Sequence, residues 1–426
     1  MSKAPAVRTV DRLRGAPWLS GGGVAKALAL LNSNGEQARV VGGAVRNALL
    51  GLDVGEVDIA TTAVPDEVIR RAKAAKIKFA PTGVEHGTVT LIIGKHPYEV
   101  TTLREDVETF GRKARVAFGR DWQRDAERRD FTISALSASA DGTVYDYTGG
   151  LDDLAQRRVR FIGEPARRIA EDYLRILRFF RIHAAYGEGP VDRDGLNACI
   201  AGRAGLANLS AERIRSEMLK LLIARGAASA LQEMSDGGLL LALLGGVTYH
   251  PSFAAMVAAE QQLGLDADVI RRLAALAVAT VEDAERLTVR LRLSNAESEQ
   301  LRSMAHRWWR LASIDDAQGR VRLYKLGPDR YRDRVLFGWA RKGGDAGYWQ
   351  GLATLGARWA APVFPVKAAD LMARGLRPGP ALGAALARAE QFWIDAGFPS
   401  GKGELAAIVD RAMEDQEGPT RGADSH

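Results

Sequence analysis

Hydrophobic positions along this chain follow one spacing in its first third and another in the remainder. Up to about residue 145, short apolar runs of strand length alternate with short amphipathic segments. This pattern predicts strands at 37–41, 57–60, 87–93 and 98–103, and helices at 44–50 and 66–75, the second of them opened by Pro65.

Beyond about residue 150 the spacing becomes helical almost throughout. Ala and Leu recur on one face, with Arg and Glu on the other, within 165–186, 194–245, 252–313 and 366–415. The stretch 104–120 is rich in Arg, Asp, Glu and Gly without a clear period, so it is predicted to be a mobile loop. The predicted fold class is α+β, with an N-terminal head containing a small mixed sheet and a long all-helical arm.

Changes in hydrophobic spacing and in composition along the chain suggest where the structural units begin and end. Gly-Pro at 189–190 and Gly-Gly at 245–246 are candidate hinges or loop centres. The expected units are a basic lead-in (1–20), a head (21–148) and a helical neck (149–240). A helical body and tail (241–415) and a disordered polar end (416–426) are expected to follow.

Composition narrows the class of protein. The 426 residues carry a formal charge of +7, which suits an anionic partner such as nucleic acid or nucleotide, although a solvated basic surface would look the same. Cys199 stands alone, which excludes an internal disulfide and metal sites built from several thiolates. The chain has neither a signal-peptide core nor an apolar run of membrane-spanning length, so a cytoplasmic protein without a membrane partner is expected.

The richest segment combines a glycine pair with two nearby acids. Gly42 and Gly43 follow a predicted strand and open a helix, so free backbone N–H groups and Arg46 on the first turn could bind phosphate. Glu56 and Asp58 are two residues apart and would share one face of a strand. Paired carboxylates suit Mg²⁺, and two such ions can assist a displacement at phosphorus.

A third acid could complete that site. Glu99 lies in an alternating stretch, where it would share a face with Thr101 and Leu103. It is a candidate supporting carboxylate, although an edge-strand glutamate facing water is the alternative interpretation.

These residues form part of a longer series of motifs. The runs GGAVRNALLG at 42–51 and EVDIAT at 56–61 resemble the signature of class II CCA-adding enzymes and bacterial poly(A) polymerases, in the polymerase-β-like nucleotidyltransferase superfamily. Further matches follow in the family's order: HGT at 86–88, EVTTLR at 99–104, RRDFTI at 128–133, GGLDDL at 149–154, EDYLR at 171–175 and ERIRSE at 212–217.

The resemblance implies roles for particular residues. Glu56 and Asp58 would hold Mg²⁺ with support from Glu99, and Asp130 would position the ribose. Asp172 and Arg175, three apart on a predicted helix, would together read the base edge that cytosine and adenine share. The expected nucleotide-binding residues are Gly42, Gly43, Arg46, Arg128, Asp130, Asp172, Arg175 and Arg178.

The resemblance also implies a substrate. A nucleotidyltransferase head and a neck with the nucleotide-selecting motif would add C, C and A from CTP and ATP to the 3′ end of tRNA. The body and tail would hold the acceptor and TΨC stems, and the basic aromatic run at 306–310 suits RNA contact. The oligomeric state is left open by the sequence.

Three departures from the family pattern keep other functions open. Glu56 stands where the family usually has Asp, Phe110-Gly111-Arg112 where Asp-Gly-Arg is common, and Ser134 where Asn is usual. The alternatives are a poly(A) polymerase, an enzyme that adds only CC or only A, and a catalytically inactive tRNA-binding protein. Residues 75–81 lack the Gly-Arg-Arg-Phe-like run of poly(A) polymerases, which favours CCA addition.

Overall fold

A computed structural model describes residues 6–10, 12–110 and 113–414. The chain forms two compact units. The first unit runs as far as His250 and also includes Arg286–Leu293, and the second comprises Pro251–Glu285 and the residues from Ser294 onward.

The first unit contains the β-structure. Ten strands occur in the described residues: β1 (Ala6–Thr9), β2 (Ala38–Val41), β3 (Asp58–Thr61), β4 (Lys78–Gly83), β5 (Thr88–Ile93), β6 (His96–Thr102), β7 (Arg104–Phe110), β8 (Lys113–Phe118), β9 (Ser137–Ala138) and β10 (Thr143–Asp146). Eight of these described strands form one sheet in the order β1-β10-β9-β2-β3-β6-β5-β4. Because β3 and β6 pair in parallel and their neighbours pair antiparallel, the predicted mixed sheet is confirmed.

The first unit also contains helices that pack against the sheet. The helices up to residue 244 are α1 (Pro17–Ser20), α2 (Gly22–Leu31), α3 (Gly43–Leu50), α4 (Pro65–Ala74), α5 (Trp122–Glu127), α6 (Gly150–Ala155), α7 (Pro165–Glu171), α8 (Leu174–Tyr186), α9 (Arg193–Ala201), α10 (Ala211–Leu222), α11 (Ala227–Asp236) and α12 (Leu239–Leu244). Helices α2, α3 and α4 pack against strands of the sheet. The strands and helices predicted before residue 103 are confirmed with small shifts at their ends.

From residue 250 on, the described chain is largely helical. It forms helices in the predicted stretches 252–313 and 366–415, and further helices between residues 316 and 358 that lie outside the predicted stretches. Its helices are α13 (His250–Gln262), α14 (Val269–Ala277), α15 (Val281–Leu291), α16 (Asn295–Ala305), α17 (Asp316–Leu326), α18 (Pro328–Lys342), α19 (Ala346–Ala353), α20 (Leu355–Arg358), α21 (Ala368–Met372), α22 (Pro380–Asp395) and α23 (Lys402–Glu414). A buried network within the second unit joins Glu260 to Arg271 and Arg272, and Arg271 to Asp333.

Two predictions about irregular segments are wrong. The stretch 104–120, predicted as a loop, contains the antiparallel pair β7–β8, and Ala6–Thr9 in the expected lead-in pairs with β10. Alternation of apolar residues marks strands with one buried face, whereas a hairpin outside the main sheet needs only backbone pairing. Gly111 and Arg112 lie outside the described residues.

The predicted continuous helix over 165–186 is also wrong, because the chain leaves the helix between α7 and α8. Asp172 is extended, with φ −156° and ψ 108°, and its carboxylate accepts a hydrogen bond from Leu174 N at 3.1 Å. An aspartate side chain that accepts from the backbone N–H two residues further on favours a break over helix continuation.

A fully buried acid anchors the segment that follows Asp130. The carboxylate of Asp153, with no exposed surface, accepts hydrogen bonds from Thr132 Oγ1 at 2.7 Å and from Arg158 and Arg160. This acid therefore joins α6 to the loop that carries residues 128–132.

Replacing Asp153 by Ala should lower the free energy of unfolding by about 2 kcal/mol, because it leaves buried donors without their acceptor. Urea denaturation followed by circular dichroism measures the change. The neighbouring Asp152 is exposed, so Asp152→Ala is the matched control, and equal effects of both substitutions would contradict the anchoring role.

Candidate active site

The glycine turn lies directly beside the first acid of the site. Val41, the last residue of β2, pairs with Asp58, the first residue of β3. Gly42 follows with φ +70° and ψ −121°, a backbone conformation that residues other than glycine rarely adopt. Helix α3 begins at the next residue, Gly43. A Cβ on Gly42 would lie 3.5 Å from Arg129 Nη1, so this guanidinium lies over the turn.

Two carboxylates meet on the parallel pair of strands. Ile59 of β3 pairs with Val100 of β6, so Asp58 and Glu99 precede paired residues and share one side of the sheet. Partial burial raises the pKa of Asp58, and the Glu99 carboxylate raises it further. Arg129 opposes this rise in the pKa, and Glu56 adds to it. The site therefore concentrates negative charge that a cation would stabilise.

Glu56 occupies a different position from the one predicted. Because β3 begins only at Asp58, Glu56 lies in the bend before the strand and is exposed. The expectation that both acids share one face of a strand is therefore wrong, since residues before Asp58 lack a pairing partner in register.

The donor set suits a hard cation. In the described part of the chain, no group of three or more His, Cys, Asp or Glu side chains forms a complete metal site. Mg²⁺ commonly takes only one or two protein carboxylates and completes its shell with water and substrate phosphate. Asp58, with Glu99 beside it and Glu56 within electrostatic range, fits that requirement.

Arginines form the opposite wall. Asp125, 3% exposed, accepts from Arg128 Nε and Nη2 at 2.8 and 2.6 Å, and from Arg129 Nη2 at 3.3 Å. All three belong to α5 or the residues just after it. A single buried carboxylate thus sets the direction of two guanidinium groups that line the same cleft as Asp58.

Asp130 links this wall to α8. Its carboxylate pairs with Arg175 Nε at 2.6 Å and with Arg178 Nη1 at 2.7 Å. Arg175 also donates to Glu171 Oε2 and to the carbonyl oxygen of Arg168, both at 2.6 Å. The predicted ribose-binding acid therefore already has two cationic partners.

The predicted pairing of Asp172 with Arg175 on one helix is wrong, because the helix is interrupted between them. Asp172 instead accepts from Arg213 Nη1 and Nη2 at 3.1 and 2.7 Å. Although burial opposes it, the hydrogen bond from Arg213 holds the pKa of Asp172 below its usual value. Asp172 therefore remains a charged acceptor, fixed by a residue of α10.

Arg46 is buried, with 7% of its surface exposed. Its guanidinium donates to Asn47 Oδ1 at 3.0 Å, contacts Ser134 Oγ at 3.5 Å and stacks 3.6 Å from the centre of the Tyr186 ring. Ser134, one of the departures from the family pattern, in turn lines the cleft.

These groups surround one cleft of about 350 Å³ in the first unit. The structure brings together the predicted site residues Asp58, Glu99, Arg128, Asp130, Arg175 and Arg178. The remaining predicted residues, namely Gly42, Gly43, Arg46, Glu56 and Asp172, are not among those that line it.

Sequence reasoning missed Asp125 and Arg213 as members of the site. Asp125 precedes Arg128 by three residues and Arg129 by four, a spacing that places acid and base side by side on a helix. That signal could have identified the pair of anchored guanidinium groups. Arg213 is 41 residues from Asp172 in sequence, so no local spacing could reveal this pair.

A glycine turn after a strand, paired carboxylates on adjacent strands and an arginine-lined cleft together define a nucleotidyltransferase of the polymerase-β-like class. Two family models match the chain: "Poly A polymerase head domain" over residues 38–160, and "Probable RNA and SrmB-binding site of polymerase A" over 191–250. The chain belongs to the family of CCA-adding tRNA nucleotidyltransferases, as curated relatives show.

Those relatives align over most of their length. The mitochondrial CCA tRNA nucleotidyltransferase 1 of Danio rerio is 33% identical over 392 residues, covering 90% of this chain and 89% of the relative. That of Homo sapiens is 32% identical over 382 residues, covering 88% and 86%. Nucleotidyl transfer in this family depends on a metal ion.

A solved structure supports the fold assignment. The Bacillus stearothermophilus CCA-adding enzyme in complex with CTP superimposes with a TM-score of 0.72 at 26% identity, covering 94% of this chain and 98% of that one. Among the described residues, no helix combines the length and apolar character that crossing a membrane requires.

Replacing Glu99 by Gln should raise the melting temperature at neutral pH without divalent cations, by on the order of 1 °C. The raised pKa of Asp58 means that its charged form is disfavoured in the folded state, which costs stability above the unfolded pKa and not below it. The gain should therefore vanish in acid.

Differential scanning fluorimetry over a pH series, with and without MgCl₂, tests this expectation. Mg²⁺ should stabilise the wild type more than the Glu99→Gln variant. The exposed Glu85 lies outside the cleft, so Glu85→Gln serves as control. A gain that persists in acid would exclude repulsion between carboxylates as its cause.

Proposed function

We propose that this chain adds C, C and A, without a nucleic acid template, to the 3′ end of tRNA, using CTP and ATP and releasing pyrophosphate. The observation that carries the proposal is the placement of Asp58 and Glu99 on adjacent strands, opposite the anchored guanidinium groups of Arg128 and Arg129. This arrangement suits the transfer of a nucleotide from a triphosphate to a hydroxyl group.

The reaction is a substitution at phosphorus. The 3′ hydroxyl of tRNA loses its proton to solvent, and its oxygen forms a bond to the α-phosphorus. The bond from that phosphorus to the bridging oxygen breaks, and pyrophosphate leaves with the electron pair of that bond. Mg²⁺ held by Glu56 and Asp58, with support from Glu99, would supply charge neutralisation at the phosphate oxygens and favour the ionised hydroxyl.

The protein's own groups bind and orient the nucleotide. Arg128 and Arg129 face the metal carboxylates, where a triphosphate would need cationic partners. Gly43 opens α3, whose first backbone N–H groups are the proposed phosphate contact, whereas the N–H of Gly42 already donates to the Leu136 carbonyl oxygen at 3.0 Å. Arg46 contacts Ser134 Oγ at 3.5 Å beside this turn. Asp130, held by Arg175 and Arg178, presents its carboxylate to the ribose.

Base selection is assigned to Asp172 and Arg175. Arg175 lines the cleft and supplies donors, while Asp172 is a charged acceptor whose direction Arg213 fixes. Cytosine and adenine each present an amine donor beside a ring-nitrogen acceptor, so one donor–acceptor pair can accept both. Uracil and guanine present the reverse order and would leave polar groups unpaired.

The helical body and tail are the proposed contact with the acceptor and TΨC stems. The proposed compartment is the cytoplasm, on the grounds of the single cysteine. The vertebrate relatives carry mitochondrial names, so the two locations compete.

Incorporation of labelled CTP and ATP, singly and together, into tRNA that lacks its 3′ end tests the function. With Mg²⁺ present, the expected product carries two C residues and one A. A long A ladder would assign the chain to the poly(A) class, and two C residues without A would indicate partial addition. No incorporation with intact tRNA binding would overturn the enzymatic assignment.

Asp58→Asn should reduce this incorporation by at least about 100-fold while tRNA binding is retained, because loss of a metal carboxylate removes several kcal/mol of transition-state stabilisation. Asp53→Asn changes an exposed acid in the same loop and should leave the rate unchanged. Equal activity of the two variants would remove Asp58 from the catalytic site.

Asp125→Asn should raise the KM for CTP and ATP by about tenfold with a smaller change in kcat, because both guanidinium groups lose their charged acceptor. Steady-state kinetics with each nucleotide measures the split between KM and kcat. Asp121, the exposed N-cap of α5, provides the control Asp121→Asn on the same helix. A loss in kcat alone would contradict a positioning role in nucleotide binding.

A further inference from the structure

The second unit contains a recessed basic pocket that nucleotide transfer does not use. Its volume is about 400 Å³, and it lies among the turn Trp308–Leu311 and the helices α17 and α18. Its charged or titratable lining consists of His306, Arg307, Arg310, Arg322, Lys325 and Arg334. Leu311 and Leu326 provide apolar surface beside them, and the lining contains no carboxylate.

The cations of this pocket differ from their neighbours in sequence. Arg320 pairs with Asp316, Arg330 with Glu299 and Arg332 with Asp329. By contrast, the five Arg and Lys side chains of the pocket form no salt bridge with any residue that the structure describes. The pairing of charges along α17 and α18 thus stops at the pocket lining.

Hydrogen bonding inside the pocket is incomplete as well. Arg334 Nε donates to Ser303 Oγ at 3.0 Å and Lys325 Nζ to Gln391 Oε1 at 3.2 Å, both neutral acceptors. Arg322 Nη1 is buried and has no partner among the described residues. A buried donor without an acceptor normally costs stability, so a ligand that accepts hydrogen bonds would satisfy it.

The charges also repel one another. Burial lowers the pKa of Arg322, and Arg310 lowers it further. Burial likewise lowers the pKa of Arg334, with Arg322 and Arg330 adding to the effect. A bound anion would relieve this repulsion, just as a cation would relieve the repulsion between the carboxylates of the cleft.

We propose that this pocket binds one phosphate group of an RNA backbone, with the adjoining ribose against Leu311 and Leu326. Guanidinium groups present paired donors that match phosphate oxygens, and the two leucines give the adjoining ribose an apolar surface. The assignment rests on the proposed function, because it takes tRNA as the source of the phosphate. Free phosphate or pyrophosphate shares the same chemistry and is the competing source.

The test compares the double variant Arg310→Gln/Arg322→Gln with Arg320→Gln in the full chain. Arg320 lies on the same helix as Arg322, is ion-paired and does not line the pocket, so it controls for loss of charge. The Kd for tRNA is measured by filter binding over a range of KCl concentrations.

The double variant should bind tRNA about tenfold more weakly than the control. The slope of log Kd against the logarithm of the KCl concentration should be smaller by about one. Its melting temperature without RNA should equal or exceed that of the wild type, because repulsion is removed. Binding of CTP to the head, measured by equilibrium dialysis, should stay unchanged. This separates failure of the pocket from failure of the proposed function.

Two results would overturn the proposal. One is a Kd and salt dependence equal to those of Arg320→Gln. The other is a rise in wild-type melting temperature with sodium phosphate or pyrophosphate that the double variant loses while tRNA binding is unaffected, which would assign the pocket to a free anion.

Discussion

The ion pairs of Asp130 with Arg175 and Arg178 hold the cleft together. They join a loop that follows α5 to a helix that begins 44 residues after Asp130. Asp153 fixes the same loop from its other side through Thr132. Because the guanidinium groups of residues 128 and 129 directly precede Asp130, their position opposite Asp58 depends on this anchored loop.

Sequence reasoning succeeded where residues close in the chain carry the information. The strand, glycine turn and helix around Gly42 follow from local spacing, whereas the parallel pairing that places Asp58 beside Glu99 is a long-range contact that spacing does not predict. It failed where a long-range contact overrides a local preference. The break at Asp172 is stabilised by Leu174 N and by Arg213 from α10, and a helical period cannot reveal either contact.

The hairpin β7–β8 shows a different limit. Its sequence carries charges on both strands, and its pairing, Glu108 opposite Arg115 among others, forms a two-stranded sheet outside the main one. Alternating apolar residues predict strands with one buried face, and the sequence of β7 shows no such alternation. The departure from the family pattern at Phe110 lies at the end of this hairpin, where the backbone of Phe110 pairs with that of Lys113.

Charged side chains without an oppositely charged partner among the described residues mark the proposed ligand sites, whereas the buried carboxylates that stabilise the fold have arginine partners. Asp153 and Glu260 are fully or almost fully buried, and both have arginine partners, so their charges are satisfied within the chain. Asp58 and Glu99 instead repel one another, as do Arg310 and Arg322. Selection for stability alone would pair or remove such groups. Their retention is explained if the opposite charge is supplied from outside, by a cation and a nucleotide in one unit and by an RNA phosphate in the other.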